Sequence, residues 1–552
     1  MRPSALSRLA LAGLFLVLVP GASMGEPSEP PRGHVPGSPI SRASREPVPE
    51  EDRSLLRRPD EKRPKKQLTL DLWGRPLIFG WSYETRLRFE DDLAFKDQRV
   101  DDLFRVGQRL SPNLFYRVTE QASLYVKGSA VYVSRRKDFE GHQRGLDDDR
   151  SSDKGLTLNE GWLFVRNLFD TRLSFQGGRQ RFSEKREWWW DEDLDAIRFH
   201  YDRSKLHLEA GVGQQLFRRS TIESHIDPEE EDVLRFFGRA AWEWKKKNRL
   251  ELYFLSQNDH SDTEPACPRP PFVDANCASN FMQIKPKEED ESDANLTWLG
   301  LSARGRWPLG SVGKLQYWAD SAVVSGRETF LDYSGAKDNR YVNSRTRHSV
   351  RGWGFDVGAT WETRLPGRPS FTLAYAVGSG DVREDSPKSD DQASNDHSFR
   401  QSGLQDNNGR FQGVDPFKYY GELLEPELSN LRIATAALGF RFLSESSVEF
   451  LYHSYQQVDA AKFLRDATVR RQPAGRKRGI GHEFDVVIGI EEWEHVEIEL
   501  VGAAFRAGPA YGAHCDDADI PTPTDPCDLE DRVPESEGDW SYLAHFKLKF
   551  NF

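Results

Sequence analysis

The last eleven residues constrain the chain most. In Tyr542 to Phe552 the residues Tyr542, Ala544, Phe546, Leu548, Phe550 and Phe552 share one face, and His545, Lys547, Lys549 and Asn551 share the other. Side chains on a β-strand alternate between faces. The segment is therefore a strand with an apolar side and a polar side, long enough to cross a bilayer at a tilt.

The pattern recurs. Tyr83, Leu87 and Phe89 oppose Glu84, Arg86 and Arg88; Leu206, Leu208, Ala210 and Val212 oppose His207, Glu209 and Gly211. Trp353, Phe355, Val357, Ala359 and Trp361 oppose Asp356, Thr360 and Glu362, and Val496, Ile498 and Leu500 oppose Glu497 and Glu499. Tight polar turns near 202–205, 245–248, 366–369, 444–446 and 491–494 alternate with long loops at 257–295, 379–430, 456–480 and 507–540. Short turns on one side and long loops on the other are the asymmetry of an outer-membrane barrel. The expected fold is all-β, a transmembrane outer-membrane β-barrel of about 18 antiparallel strands over residues 67–552. An even count puts both termini in the periplasm, and a C-terminal Phe resembles the terminal strand of bacterial outer-membrane proteins.

Composition agrees. A mean hydropathy of −0.70 and a single long apolar run exclude a helical membrane bundle, but not a barrel, in which only alternate residues meet lipid. A net charge of −12 argues against nucleic acid as a partner. The alternative soluble fold, a secreted sandwich or propeller, should show blade repeats, and none is visible.

Residues 1–25 read as a secretory signal: Arg2 and Arg8 precede the apolar run Leu9 to Val19, and cleavage is expected before Glu26. Residues 26–66 are rich in Pro, Arg, Glu and Ser and read as a disordered periplasmic lead. In an exported chain, Cys267 with Cys277 and Cys515 with Cys527 are expected to form two local disulfides. The cysteine pairs lack the short C-x-x-C spacing of a zinc site. No cofactor, metal or catalytic residue is indicated, and outside the leader no G-x-S-x-G elbow occurs.

A barrel this wide leaves an aqueous channel unless something fills it, and the short lead cannot, so the pore is expected to be open or narrowed by loops. Alternation turns Arg86, Arg88, Lys127, Arg172, Arg198, Arg304, Arg306, Arg364, Arg441, Lys547 and Lys549 inward, where they could attract carboxylates or phosphates. About as many acids share that face, so cross-strand ion pairs are an equally good reading of any one residue. Trp188-Trp189-Trp190 could stack on sugar rings, but interfacial girdle anchors are the preferred reading. Acidic stretches such as Asp147-Asp148-Asp149 and Asp227 to Asp232 could bind cations that bridge lipopolysaccharide, although solvated loops are commoner.

Several segments, in order, resemble the bacterial alginate-export outer-membrane porins, the AlgE-like family. They are Gly178-Arg179-Gln180-Arg181 with the charged and Trp residues that follow, Trp353 to Thr360, Gln401-Ser402-Gly403-Leu404, Gly421-Glu422, Glu427-Leu428-Ser429-Asn430-Leu431, Leu451-Tyr452-His453 and Ala510-Tyr511-Gly512. The resemblance implies an eighteen-stranded barrel that passes an anionic uronate polysaccharide outward through an arginine-rich constriction. It further implies that the Arg179/Arg181 stretch supplies a constriction arginine. Alternation points Arg179 toward lipid, and a bulge at Gly177-Gly178 would reset the face. Around Pro416 to Tyr420, where the family is richer in arginine, only Lys418 is basic. In the strand leading to Phe505 this chain has Glu499 and Val501, with Arg506 keeping a basic position.

The expected function is passive export of an anionic, alginate-like exopolysaccharide. The expected partners are outer-membrane lipid, lipopolysaccharide and periplasmic polysaccharide-secretion proteins. The departures from the family keep two alternatives open: an uptake porin for small solutes, and a surface adhesin or lipid-modifying enzyme on a barrel scaffold.

Overall fold

A computed structural model describes residues 55–56, 59, 68–95, 103–137, 150–222, 226, 230, 232–259, 292–334, 341–381, 395–515, 532–533 and 536–552. Among the described residues, eighteen strands form the wall. They are β1 (Arg75–Asp91), β2 (Leu103–Arg117), β3 (Ala122–Lys137), β4 (Arg150–Val165), β5 (Leu173–Ser183) and β6 (Asp191–Asp202). Then come β7 (Leu206–Gln214), β8 (Val233–Lys245), β9 (Asn248–Asp259), β10 (Ser292–Pro308), β11 (Lys314–Ser334) and β12 (Tyr341–Glu362). The last six are β13 (Ser370–Gly378), β14 (Leu431–Arg441), β15 (Ser446–Gln457), β16 (Gly479–Trp493), β17 (Val496–Ala507) and β18 (Trp540–Asn551).

Each strand pairs antiparallel with its neighbour in sequence, and β1 pairs with β18 from Ser82↔Asn551 to Asp91↔Tyr542, which closes the cylinder. Closure leaves no unpaired strand edge in the wall. Ahead of β1, Leu68–Leu72 folds back through Trp73 and Gly74, whose φ angles of 54° and 74° suit a two-residue hairpin turn.

Alternation holds along the wall. On β9, Leu252 and Phe254 are exposed while Glu251, Tyr253 and Leu255 are buried. The short connections 118–121, 166–172, 203–205, 246–247, 309–313, 363–369, 442–445 and 494–495 lie at the end where β1 begins and β18 ends. That rim bears an outward aromatic girdle of Trp244, Trp307, Trp361, Phe442 and Trp493. Phe552 stacks on Trp81 there, with ring centroids 4.2 Å apart.

The signal at 1–25 and nearly all of the lead at 26–66 lie outside the described residues. So do Cys267, Cys277, Cys527 and the side chain of Cys515, and Asp147-Asp148-Asp149 with most of Asp227 to Asp232.

Candidate functional site

The inward face of the barrel meets two long-side loops that fold into the lumen. The shorter, Glu184 to Trp190, joins β5 to β6. Its backbone is organised by Glu184, whose carboxylate accepts the Arg186 N–H at 2.9 Å and the Trp188 N–H at 2.7 Å. Glu184 is in turn paired with Arg304 of β10. Arg186 reaches across the lumen to Asp356 of β12 at 2.6 Å and lies over the rings of Trp318 and Tyr419, 4.3 and 4.1 Å from their centroids. Asp356 also accepts from the Trp318 indole at 2.7 Å and the Tyr420 hydroxyl at 2.9 Å. Burying a carboxylate so deeply is tolerable because each oxygen has a donor.

The girdle reading of the Trp triplet is overturned. Trp188, Trp189 and Trp190 are each 2 % exposed. Trp189 stacks on lumenal Tyr253 at 5.0 Å, and the Trp188 indole donates to Tyr420 Oη at 2.8 Å. β10 accommodates them with Gly300, where a Cβ would stand 1.8 Å from the Trp189 ring. Large aromatics at a strand end satisfy a lipid interface or an aqueous interior equally well by composition; here the interior offers aromatic partners.

The longer loop, described over 395–430, packs against the first. Gln401 exchanges amide hydrogen bonds with Asn407 at 3.0 and 3.1 Å and donates to the Trp188 carbonyl at 3.3 Å. Ser402 donates to the Trp189 carbonyl. Further on, the Leu423 and Leu424 N–H groups donate to Glu483 of β16 at 2.7 and 3.0 Å. Gly421 has φ +111°, and a Cβ there would sit 2.2 Å from the Tyr455 hydroxyl. The segments Gln401–Leu404, Gly421–Glu422 and Glu427–Leu431 are thus the joints of a lumenal plug, and the pore is narrowed by loops.

At the short-turn end the plug leaves a cavity of about 320 Å³. Seven basic residues line it, Lys185, Arg186, Lys247, Arg249, Arg304, Arg306 and Arg410, against Glu243. Among the described residues no carboxylate lies within ion-pair distance of Lys185, Arg306 or Arg410. Burial, then the charges of Arg304, Arg306, Arg249 and Arg186, hold the Lys185 ammonium below its ordinary range. A chamber lined by seven basic residues and one acid is short of negative charge, which an anionic chain would supply.

Of the residues predicted to line the pore, Arg304 and Arg306 stand in this chamber. Others are absorbed in ion pairs: Arg86 with Glu84 and Arg88 with Glu90, each at 2.5 Å, and Arg198 with Glu209 at 2.9 Å. Lys547 pairs with Glu499, and Lys549 with Glu497 at 2.8 Å. Lys127 is on the inward face, opposite Asn113 and Glu160. Arg441 donates to the Gln412 carbonyl of the plug at 3.1 Å. Lys418 lies inside the plug, where burial opposes its charge but Glu425 and Asp406, both 2.5 Å away, keep its ammonium above the ordinary range.

Four placements correct the sequence reading. Arg506 is exposed, because it alternates with buried Phe505 and so faces outward, 6.0 Å from the Trp540 ring. Arg364 and Arg172 lie in short turns, beyond β12 and before β5. No bulge resets Arg179: β5 runs in unbroken register with β6 from Leu173 to Ser183. Arg179 therefore alternates with Gln180 and Phe182, and sits beneath the segment after β7, with Phe217's carbonyl at 3.4 Å and Asp195 at 3.8 Å. Arg181 grips both oxygens of Asp191 at 2.6 Å. Lys185, Arg186 and Arg410 were missed because loop side chains obey no alternation; Arg249 shares the face of Glu251 and was legible from it.

A closed antiparallel cylinder with an apolar exterior, an aromatic rim and a charged interior defines an outer-membrane β-barrel channel. The chain belongs to the alginate export family, whose model matches residues 75–519. It is 24% identical to the alginate production protein AlgE of Pseudomonas aeruginosa over 80% of this chain and 89% of that one. It is 23% identical to the AlgE of Pseudomonas syringae pv. tomato over 69% and 74% of the two chains. Among solved structures it is similar to Acinetobacter baumannii OccAB1, with a TM-score of 0.47, 11% identity and 86% and 96% of the chains covered. OccK5 of Pseudomonas aeruginosa matches with a TM-score of 0.44, 10% identity and 86% and 98% coverage.

Proposed function

We propose that this channel passes an anionic, alginate-like polysaccharide outward, without a catalytic step, and that the basic chamber at the short-turn end receives the chain. The observation that carries the reading is the cluster of Lys185, Arg306 and Arg410 facing a cavity with a single acidic lining residue. A polyuronate presents a carboxylate on every ring, so it gains there what a neutral sugar does not. The paired charges along the rest of the wall, such as Lys549 with Glu497, keep attachment weak enough for onward movement, as conduction requires. The short-turn side faces the periplasm in this reading, where polysaccharide-secretion proteins would hand over the polymer. Lipopolysaccharide would surround the opposite rim.

The test is planar-bilayer recording on the purified protein. Export predicts an anion-preferring current that polyuronate blocks from the short-turn side and that neutral glucan leaves unchanged. Indifference to polyuronate, with free passage of small neutral solutes, would establish the uptake porin instead.

A further inference from the structure

We propose that His200, His207 and Glu209 form a zinc site inside the barrel wall, independent of what the channel carries. The three residues lie on β6 and β7, flanking the short turn 203–205, and all are buried. One donor atom from each falls within 4.8 Å of the others. His207 Nε2 is 3.3 Å and His200 Nδ1 3.8 Å from the same oxygen, Glu209 Oε2. Tetrahedral zinc with bonds of about 2.0–2.1 Å needs ligand atoms roughly 3.4 Å apart, so small side-chain adjustments suffice.

The surroundings fix which atoms face the centre. His207 Nδ1 lies 2.7 Å from Asp202, so with its proton held there the neutral imidazole offers Nε2 as a ligand, 3.3 Å from Glu209 Oε2. The His200 Nε2–H donates to Gln176 Oε1 at 3.3 Å, which leaves Nδ1 bare. His200 is 3 % exposed, and its Nδ1 has no hydrogen-bond partner. Glu209's other oxygen accepts from Arg198 Nη1 at 2.9 Å, so Oε2 is the one presented. A cation at the centre would replace the proton that His207 Nε2 and Glu209 Oε2, 3.3 Å apart, otherwise share, and would give the bare His200 Nδ1 a partner. Carboxylate and amide groups behind the imidazoles are the outer support that metal-binding histidines use. With neutral imidazoles, Asp202 and Glu209 against Arg198 leave one negative charge; a divalent ion turns the cluster positive. Three protein ligands leave a fourth position for water.

The experiment uses the full mature chain in detergent, with any affinity tag removed and metal stripped by chelator. Titration with Zn²⁺ is expected to load one equivalent that the double variant His200→Asn/His207→Asn does not bind. Asp202→Asn, which keeps all three ligands, should weaken binding about 10–100-fold. Co²⁺ added to the unaltered protein should give the intense visible absorption of a tetrahedral site. Heat-modifiable migration on gels verifies that each variant is a folded barrel. Equal Zn²⁺ loading of the parent and the double variant would overturn the proposal, as would only the weak absorption of octahedral Co²⁺ in the parent. The cobalt spectrum decides the matter even if the double variant does not fold.

Discussion

Arg186 and Asp356, 170 positions apart in sequence, meet at 2.6 Å inside the barrel and fasten the Glu184–Trp190 loop to the wall. The pair is buried, and Asp320 lies 3.5 Å from the same guanidinium. Removing one member of a buried pair costs about 3–5 kcal/mol, because the other is left without compensation. Arg186→Ala should therefore undock the loop: single-channel conductance rises and the loop becomes protease-sensitive, while the barrel keeps its heat-modifiable migration. An unchanged conductance would show that the pair does not hold the constriction.

The chamber cations act by charge. Replacing Lys185, Arg306 or Arg410 with glutamine should weaken polyuronate block about fivefold each, the equivalent of about 1 kcal/mol for a charge pair in water. The effect should shrink at 1 M salt, where screening falls to about 3 Å. Arg506→Gln faces outward and should leave block unchanged. Blocking constants at two ionic strengths check both statements.

Docking of the plug should depend on pH. Burial, resisted by Arg465 and reinforced by Asp466, raises the Glu427 carboxyl from 4.5 to about 7. Burial and Asp191 raise Glu187 from 4.5 to about 8. Each acid holds its proton more tightly docked than free, so the docked plug is favoured below about pH 4.5 and loses that contribution as pH rises through 7 to 8. Opening events in bilayer recordings should become more frequent across that range, and Glu427→Gln should flatten the lower part of the rise. A gating frequency that fell with rising pH would contradict this.

Trp189→Ala separates plug from girdle. A buried Trp truncated to Ala costs about 3–5 kcal/mol, and here the loss falls on the plug. The variant should insert into liposomes at the parent rate yet conduct more; slowed insertion with unchanged conductance would restore the interfacial reading.

The wall was legible because lipid outside and water inside leave each strand residue one choice of face; the strand expected at Leu206–Val212 lies within β7. The same rule, extended from Glu499 through Phe505, places Arg506 outside, so that error came from following the resemblance over the alternation. At Arg179 the alternation was likewise sound, and the proposed bulge was not. The plug was not legible: the course of Lys185 and Arg186 is set by Arg304 and Asp356, more than a hundred residues away, and nothing local announces it. Segments noticed only as family likeness, such as Gln401–Leu404, are the joints where the two loops grip each other.

The seam between Trp81 and Phe552 has a consequence for biogenesis. Because the final segment completes the ring against the first, a ribosome that stops a dozen codons early releases a sheet with two raw margins. Such a product lacks the strand that pairs with both β1 and β17, so it cannot close into a leaky version of the finished protein. Sealing the ring thereby falls to one short stretch, which must hold two partners at once.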